Sequence, residues 1–240
     1  MRLILEPGFP GERQMAVDET MLILLSQGVI DETVRLWNFS PTTLSIGRFL
    51  RVEDWVNLEL LKEKKLPLIR RFTGGGPALH DEFGEITWTV LMHSKNMLDA
   101  YQIIGEGLTR ALKELGLEGE FTPINDVVVK GKKIVGMAGA QKGDSVVVHG
   151  TFMFATDLSL MSVIKVPKPK ERERGTPSSR VSNISLLLGR DVNKDEAQRA
   201  LLRGFSSVFD LTPGELTPLE TELSRQLTYK YTNDRWTFVR

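Results

Sequence analysis

Periodicity along the chain predicts a mixed α and β fold, and three stretches carry that prediction. Apolar residues from Leu98 to Leu115 recur at helical spacing and stop at Gly116, where a helix C-terminal glycine belongs. From Asp126 to Phe154 the pattern changes to period two. There Val127-Val128-Val129, Ile134-Val135 and Val146-Val147-Val148 are separated by Lys130-Gly131-Lys132 and Lys142-Gly143-Asp144, which read as the two hairpin turns of a meander. The C-terminal third returns to helix. Ala197, Leu201, Leu202 and Phe205 share a face, and Thr217-Pro218-Leu219-Glu220 joins a capping box to a proline at the first helical position.

The remaining elements follow from the N-terminus. Met1 to Leu5 reads as a short strand, and Met15, Val17, Met21, Leu22 and Leu25 mark a helix with one buried face. Val34-Arg35-Leu36-Trp37 and Leu44-Ser45-Ile46 read as strands on either side of a Ser40-Pro41 turn. A helix fits Trp55 to Lys64. Leu68 and Ile69 lead a strand into a glycine-rich loop, and Ile86-Thr87-Trp88-Thr89-Val90 alternates as the strand leaving it. Residues 165–180 break all periodicity and read as a basic loop, with Lys165, Lys168, Lys170, Arg172, Arg174 and Arg180 against Glu171 and Glu173.

With 240 residues and no break in composition, the expectation is a single domain spanning 1–240, its C-terminal helices of about 190–240 included. Lys and Arg together number 31, as do Asp and Glu, so no global field attracts nucleic acid or an anionic membrane. Anion recognition must come from local clusters. No apolar run approaches the roughly 18 residues of a bilayer span, and no signal-peptide core opens the chain, so the expected location is cytoplasmic. The absence of cysteine removes disulfides, zinc-thiolate sites and thiol nucleophiles together.

Chemistry concentrates in Arg70-Arg71-Phe72-Thr73-Gly74-Gly75-Gly76-Pro77-Ala78-Leu79-His80-Asp81. Three consecutive glycines are costly to order, and they make sense where the backbone takes positive φ or presses against something. Two flanking guanidinium forks make a phosphate or carboxylate the obvious occupant, and an ordinary tight loop with solvated arginines is the alternative. Three smaller clusters accompany it: Asn125-Asp126, Lys133 within Gly131-Lys132-Lys133-Ile134-Val135-Gly136, and His149-Gly150-Thr151. Each has a plain reading too. The lysine turn suits a polar hairpin tip, Asn125-Asp126 suits a strand-starting cap, and His149 suits a packed, satisfied histidine.

In order and spacing, these clusters resemble the lipoate–protein ligase family, within the larger group of biotin protein ligases and lipoyl or octanoyl transferases. Met15-Ala16-Val17-Asp18-Glu19 looks like the family's opening helix. Arg35-Leu36-Trp37, Pro41-Thr42, Ser45-Ile46-Gly47-Arg48 and the tail Lys230-Tyr231-Thr232-Asn233-Asp234-Arg235-Trp236 are similar to its other blocks. The resemblance implies one α+β domain with a mixed, largely antiparallel sheet and flanking helices. It also implies two steps: lipoate and ATP give lipoyl-adenylate, then a lysine amine of an acceptor displaces AMP. The acceptors would be lipoyl domains of a 2-oxoacid dehydrogenase E2 or the glycine cleavage H protein. Because the chain ends soon after Trp236, a separate small accessory subunit is expected to supply the module that longer ligases append.

By the same resemblance Lys133 is the catalytic residue, contacting both the phosphate and the acyl carbonyl. Arg71 would hold phosphate, Gly76, Pro77, Ala78 and Leu79 would line the adenine side, and Asn125 and Asp126 would complete the nucleotide site, Asp126 sharing Mg²⁺ with the phosphates. Lipoate would lie along Gly74, Gly75, His80, Lys133, Gly136, Ala138, His149 and Gly150, with Gly139 also leaving room, and the basic loop from Lys165 to Arg180 would close over the adenylate. Pro77 stands where relatives carry alanine and has no N–H to donate. A transferase of the same fold is the nearest alternative, but it passes the acyl group through a cysteine thioester, and no cysteine is present. Biotin ligation fits less well, since the triple glycine does not match a Gly-Arg-Gly-Arg loop. A non-catalytic carrier-binding protein is a further alternative.

Overall fold

The period-two middle of the chain forms consecutive antiparallel strands toward one edge of a large sheet. In a computed structural model that describes residues 1–122, 124–165 and 177–239, the last segment without the side chains of 177 and 178, the chain opens with β1 (Arg2–Phe9) and α1 (Gly11–Ser26). Next come β2 (Thr33–Phe39), β3 (Thr43–Ile46), α2 (Val52–Trp55), α3 (Leu58–Glu63), β4 (Leu68–Arg70), β5 (Ala78–His80), β6 (Glu85–His93) and α4 (Met97–Glu114). The meander follows as β7 (Glu120–Thr122), β8 (Asp126–Val129), β9 (Lys132–Lys142) and β10 (Ser145–Met153), then a 3-10 helix at Leu158–Val163. α5 (Pro177–Arg180), α6 (Ile184–Leu188), α7 (Lys194–Ser206), the short β11 (Thr212–Pro213), α8 (Pro218–Tyr231) and α9 (Asp234–Thr237) complete the described chain.

An 8-stranded sheet runs in the order β11-β1-β2-β6-β10-β9-β8-β7. It is antiparallel from β2 to β7 and parallel where β1 meets β2 and β11. A 3-stranded sheet, β4-β3-β5, stands beside it. Alternation decides which face each side chain takes: Val146 and Val148 of β10 pack with α4 and α7, whereas Val147 between them packs with α1. Helices therefore cover both faces, the α+β arrangement expected. A third core, with Leu44, Ile46, Leu79, Met153 and Met161, joins the small sheet to the large one. Among the described residues no helix is long and apolar enough to cross a membrane.

Two local expectations are corrected. The helix expected over Trp55 to Lys64 is interrupted at Val56, which is extended (φ −121°, ψ 131°), fully buried in the third core and bridged to Ile164. Asn57 then restarts the chain as α3 by accepting the Leu60 N–H. Second, the glycine loop is shorter than its motif, because Ala78–His80 is a strand that pairs with β3. The Lys130-Gly131 hairpin turn is as expected, with both residues at positive φ (50° and 74°).

The crossing of α4 and α7 depends on glycine. A Cβ on Gly204 would lie 2.3 Å from the Gly107 carbonyl oxygen and 2.7 Å from the Ala111 Cβ. Glycine to alanine in a helix ordinarily stabilises by about 0.5–1 kcal/mol. Here Gly204→Ala is expected to destabilise by about 1–3 kcal/mol in urea unfolding, as overpacking does; a stabilised variant would mean the helices can separate freely.

Candidate active site

A cavity of about 740 Å³ opens where the small sheet faces β9 and β10. Arg71, Gly75, Gly76, Pro77, Ala78, Leu79, His80, Asn125, Asp126, Lys133, Gly136, Ala138, His149, Gly150, Lys165 and Arg180 all line it. Gly74 does not, and the space beside Gly139 is filled by Met97 Sδ, the Val147 carbonyl and Tyr101 Oη. Residues 166–176 of the expected lid lie outside the described residues. The interior includes Met15 and Trp37, which lie in family-like blocks with no role expected of them, and Phe39 and Met153, which lie outside those blocks. That lining suits an extended apolar ligand with a few fixed polar contacts.

Lys133 enters from the start of β9, with its Nζ 2.6 Å from Asp126 Oδ1. Both groups are about one-third exposed, so the pair adds little to stability and leaves the ammonium open to exchange partners. Room for the lysine arm comes from Gly136, where a Cβ would fall 2.5 Å from Lys133 Cε and 2.7 Å from Nζ. The Ser182 N–H holds the Lys133 carbonyl at 3.0 Å, which anchors the backbone beneath the moving side chain. Asn125 is drawn inward, its side-chain amide on the Met137 carbonyl and its own carbonyl accepting the Met137 N–H.

The two arginines are not exposed forks. Arg70 is 1% exposed and donates only to backbone carbonyls: Gly47, Arg48 and Leu50 on one side, Trp236, Thr237 and Val239 on the other. Arg71 is also buried. Its Nη2 donates to the carbonyls of Gly74 (2.8 Å) and Gly76 (2.9 Å), its Nη1 to Ser45 Oγ (2.6 Å) and its Nε to Thr73 Oγ1 (3.4 Å). A guanidinium has five N–H groups, and these four bonds leave one for a ligand. Arg71 thus clamps the glycine ribbon while still lining the cavity where phosphate is expected. Burial lowers its pKa to about 10, so it remains a cation at neutral pH.

Each hydroxyl that accepts from Arg71 also lies within hydrogen-bond distance of an imidazole nitrogen. Thr73 Oγ1 lies 2.8 Å from His149 Nε2, and His149 Nδ1 lies 2.9 Å from Asp18 Oδ2. Asp18, fully buried, also accepts from Arg35 Nη1 at 2.8 Å and from Thr89. On the other flank Ser45 Oγ lies 2.7 Å from His80 Nε2, and His80 Nδ1 is 3.0 Å from Glu85 Oε1. Burial, and after it the charge of Arg71, holds His80 well below the usual imidazole range; burial also lowers His149, against the opposing effect of Asp18. Both imidazoles are neutral. Burial also pushes Glu85 well above the usual carboxyl range, and the bond its Oε1 accepts from the Thr87 hydroxyl opposes that shift. Asp18, Ser45, Thr73 and Glu85 are functional neighbours that the motifs did not single out as such. The available signal was a charge set inside an apolar run, Val17-Asp18 and Val34-Arg35-Leu36.

Glycine has distinct uses along the ribbon. Gly75 takes φ +90°, and its carbonyl oxygen would be only 2.0 Å from a Cβ on Gly47. Gly74 and Gly76 have open space where a side chain would be. Among the described residues no group of three or more His, Cys, Asp or Glu side chains could hold a metal, and Asp126 is the acidic side chain on the cavity wall. A Mg²⁺ held mainly by substrate phosphates fits one such carboxylate.

Fold and cavity together define an enzyme of the lipoyl ligase and transferase type. The chain belongs to the lipoyl protein ligase A/B catalytic domain family, whose profile matches residues 10–206. It is 32% identical to the octanoyltransferase LipM of Kyrpidia tusciae over 93% of each chain. It is equally 32% identical to lipoate-protein ligase A subunit 1 of Thermoplasma acidophilum, over 95% of this chain and 92% of that one. The fold matches the bi-partite lipoate protein ligase of T. acidophilum, described with its E2 lipoyl domain, at TM-score 0.85 and 30% identity over 99% and 95% of the two chains. A lipoate-protein ligase A crystallised with ATP matches at TM-score 0.85 and 29% identity over 99% and 98%.

The Gly136 geometry is directly testable. In Gly136→Ala the lysine arm, being flexible, must leave Asp126 while the sheet stays intact. The melting temperature should fall by less than about 4 °C, the shift of roughly 1 kcal/mol in a small domain, and a crystal structure should show the Lys133–Asp126 pair broken. An unchanged pair would show that the glycine is not needed for it.

Proposed function

We propose that the protein is an ATP-dependent lipoate–protein ligase. The observation carrying this reading is the absence of cysteine from all 240 residues, together with the burial of the hydroxyls that could replace it. Thr73 and Ser45 are the hydroxyls bonded to the cavity's imidazoles, and both are 0% exposed and occupied by Arg71. Neither is available to take up an acyl group. Without a covalent acyl carrier, the carboxylate must be activated by a soluble reagent, and ATP does this. A lipoate carboxylate oxygen attacks the α-phosphorus, pyrophosphate leaves, and the acceptor lysine amine then attacks the acyl carbonyl and expels AMP.

Such a path first brings a carboxylate to an already anionic phosphate, so it needs positive charge where the new bond forms. Lys133 supplies it, exchanging Asp126 for the phosphate and acyl oxygens. Gly75 and Gly76 of the ribbon accommodate the adenylate, with Pro77, Ala78 and Leu79 toward the nucleotide. Lipoate extends past Gly75, Gly136, Ala138 and Gly150 toward His80 and His149. Asp126 would hold a Mg²⁺ that neutralises phosphate charge, and Lys165 and Arg180 add cations at the rim. The acceptor is a lipoyl domain of the E2 or H-protein type, with a small second subunit completing the enzyme; the bi-partite archaeal ligase described with its E2 lipoyl domain supports this reading.

A second reading, octanoyl transfer, is favoured by the names of relatives such as the K. tusciae protein. Lipoate-dependent exchange of labelled pyrophosphate into ATP, with no acceptor present, separates the two. The ligase shows exchange, and Lys133→Ala lowers it by about two orders of magnitude or more, as loss of a preorganised charge does. ATP-independent transfer from an octanoylated carrier, without exchange, would establish the second reading. Exchange undiminished in Lys133→Ala would make that lysine a surface turn residue.

A further inference from the structure

Arg70 carries no part of the chemistry above, yet it is the most fully bonded cation in the fold's interior. Among the described residues no carboxylate lies within ion-pair distance of it. Taking a guanidinium out of water without a counter-charge is costly, and carbonyl dipoles offset that only when they are held in place around it. Two segments far apart in sequence hold them. Nη1 donates to Gly47 (3.0 Å), Arg48 (3.0 Å) and Leu50 (2.7 Å), while Nε donates to Trp236 (3.0 Å) and Thr237 (2.9 Å) and Nη2 to Val239 (3.3 Å). Trp236 returns a bond from its indole N–H to the Arg70 carbonyl at 2.9 Å and packs edge-on against Tyr231.

The first of those segments lies directly on the ribbon. Gly47 touches the Gly75 carbonyl, and the Arg48 N–H donates to the Thr73 carbonyl at 2.9 Å. None of the described residues from Tyr231 to Val239 lines the cavity. We infer that Arg70 is a positioning residue through which the C-terminal turn fixes the glycine ribbon, so that residues touching no substrate set the strength of nucleotide binding. The inference rests on the ribbon being the adenylate site. It also explains why Arg70 and Arg71, adjacent in sequence, both donate to carbonyls: Arg71 clamps the ribbon itself and Arg70 clamps the loop that backs it.

The test compares wild type, Arg70→Lys and Trp236→Phe in lipoate-dependent pyrophosphate exchange, with hydrogen exchange at the Arg48 amide and thermal melts alongside. Lysine keeps the charge but has no planar fork to reach both carbonyl sets. In Arg70→Lys, KM for ATP should rise by about tenfold with kcat held within about threefold, and the Arg48 amide should exchange faster. A role confined to stability would lower kcat through loss of folded enzyme and leave KM unchanged, and that result overturns the inference. Trp236→Phe keeps the aromatic packing and removes one bond, so it should shift KM the same way to a smaller degree, and it decides the matter if Arg70→Lys does not fold. If wild type shows no pyrophosphate exchange, the ligase reading fails; the Arg48 amide then still decides for the tie, since unchanged protection in the folded variants overturns it and faster exchange supports it.

Discussion

A buried guanidinium organises the site. Arg71 is removed from water, which costs several kcal/mol for an unpaired ion, and the groups around it follow from meeting that cost. Two ribbon carbonyls and two hydroxyls accept its N–H groups. The same hydroxyls meet the two imidazoles, Thr73 at His149 and Ser45 at His80. Each imidazole, held neutral chiefly by burial and further by the charge of Arg71, has a carboxyl group at its other ring nitrogen, Asp18 for His149 and Glu85 for His80. Five elements, α1, β3, β5, β6 and β10, are thereby tied to one charge.

The cavity's other charge is arranged by the opposite logic. Lys133 sits at a partly exposed strand end, paired with Asp126 at a distance that only the missing side chain of Gly136 permits. One cation is buried and shapes the backbone; the other is partly exposed and faces the cavity. Between them Gly76 of the ribbon faces open space on the cavity wall, the place where a phosphate could approach the main chain without obstruction.

Much of this was legible from residues alone, and the exceptions have a common cause. The meander, the long helices and the capping box at Thr217 depend on local periodicity and hydrogen bonding, which sequence displays. The cavity wall was legible because the family's blocks are contiguous stretches. What sequence did not display is where a side chain points. Arg70 and Arg71 read as anion forks, and only tertiary burial turns them toward carbonyls. Asp18 and His149 are 131 positions apart, and nothing local predicts their contact. The break at Val56 likewise reflects a core contact outcompeting helix propensity.

The central claim is that this charge arrangement activates a free carboxylate at a nucleotide phosphorus. Lipoate labelled with ¹⁸O in its carboxylate, supplied with ATP and an acceptor lipoyl domain, tests it most directly. Attack on the α-phosphorus leaves the attacking oxygen on the phosphate, so AMP carrying one ¹⁸O should accumulate in step with acylated acceptor. Acceptor acylated while AMP stays unlabelled would contradict the account.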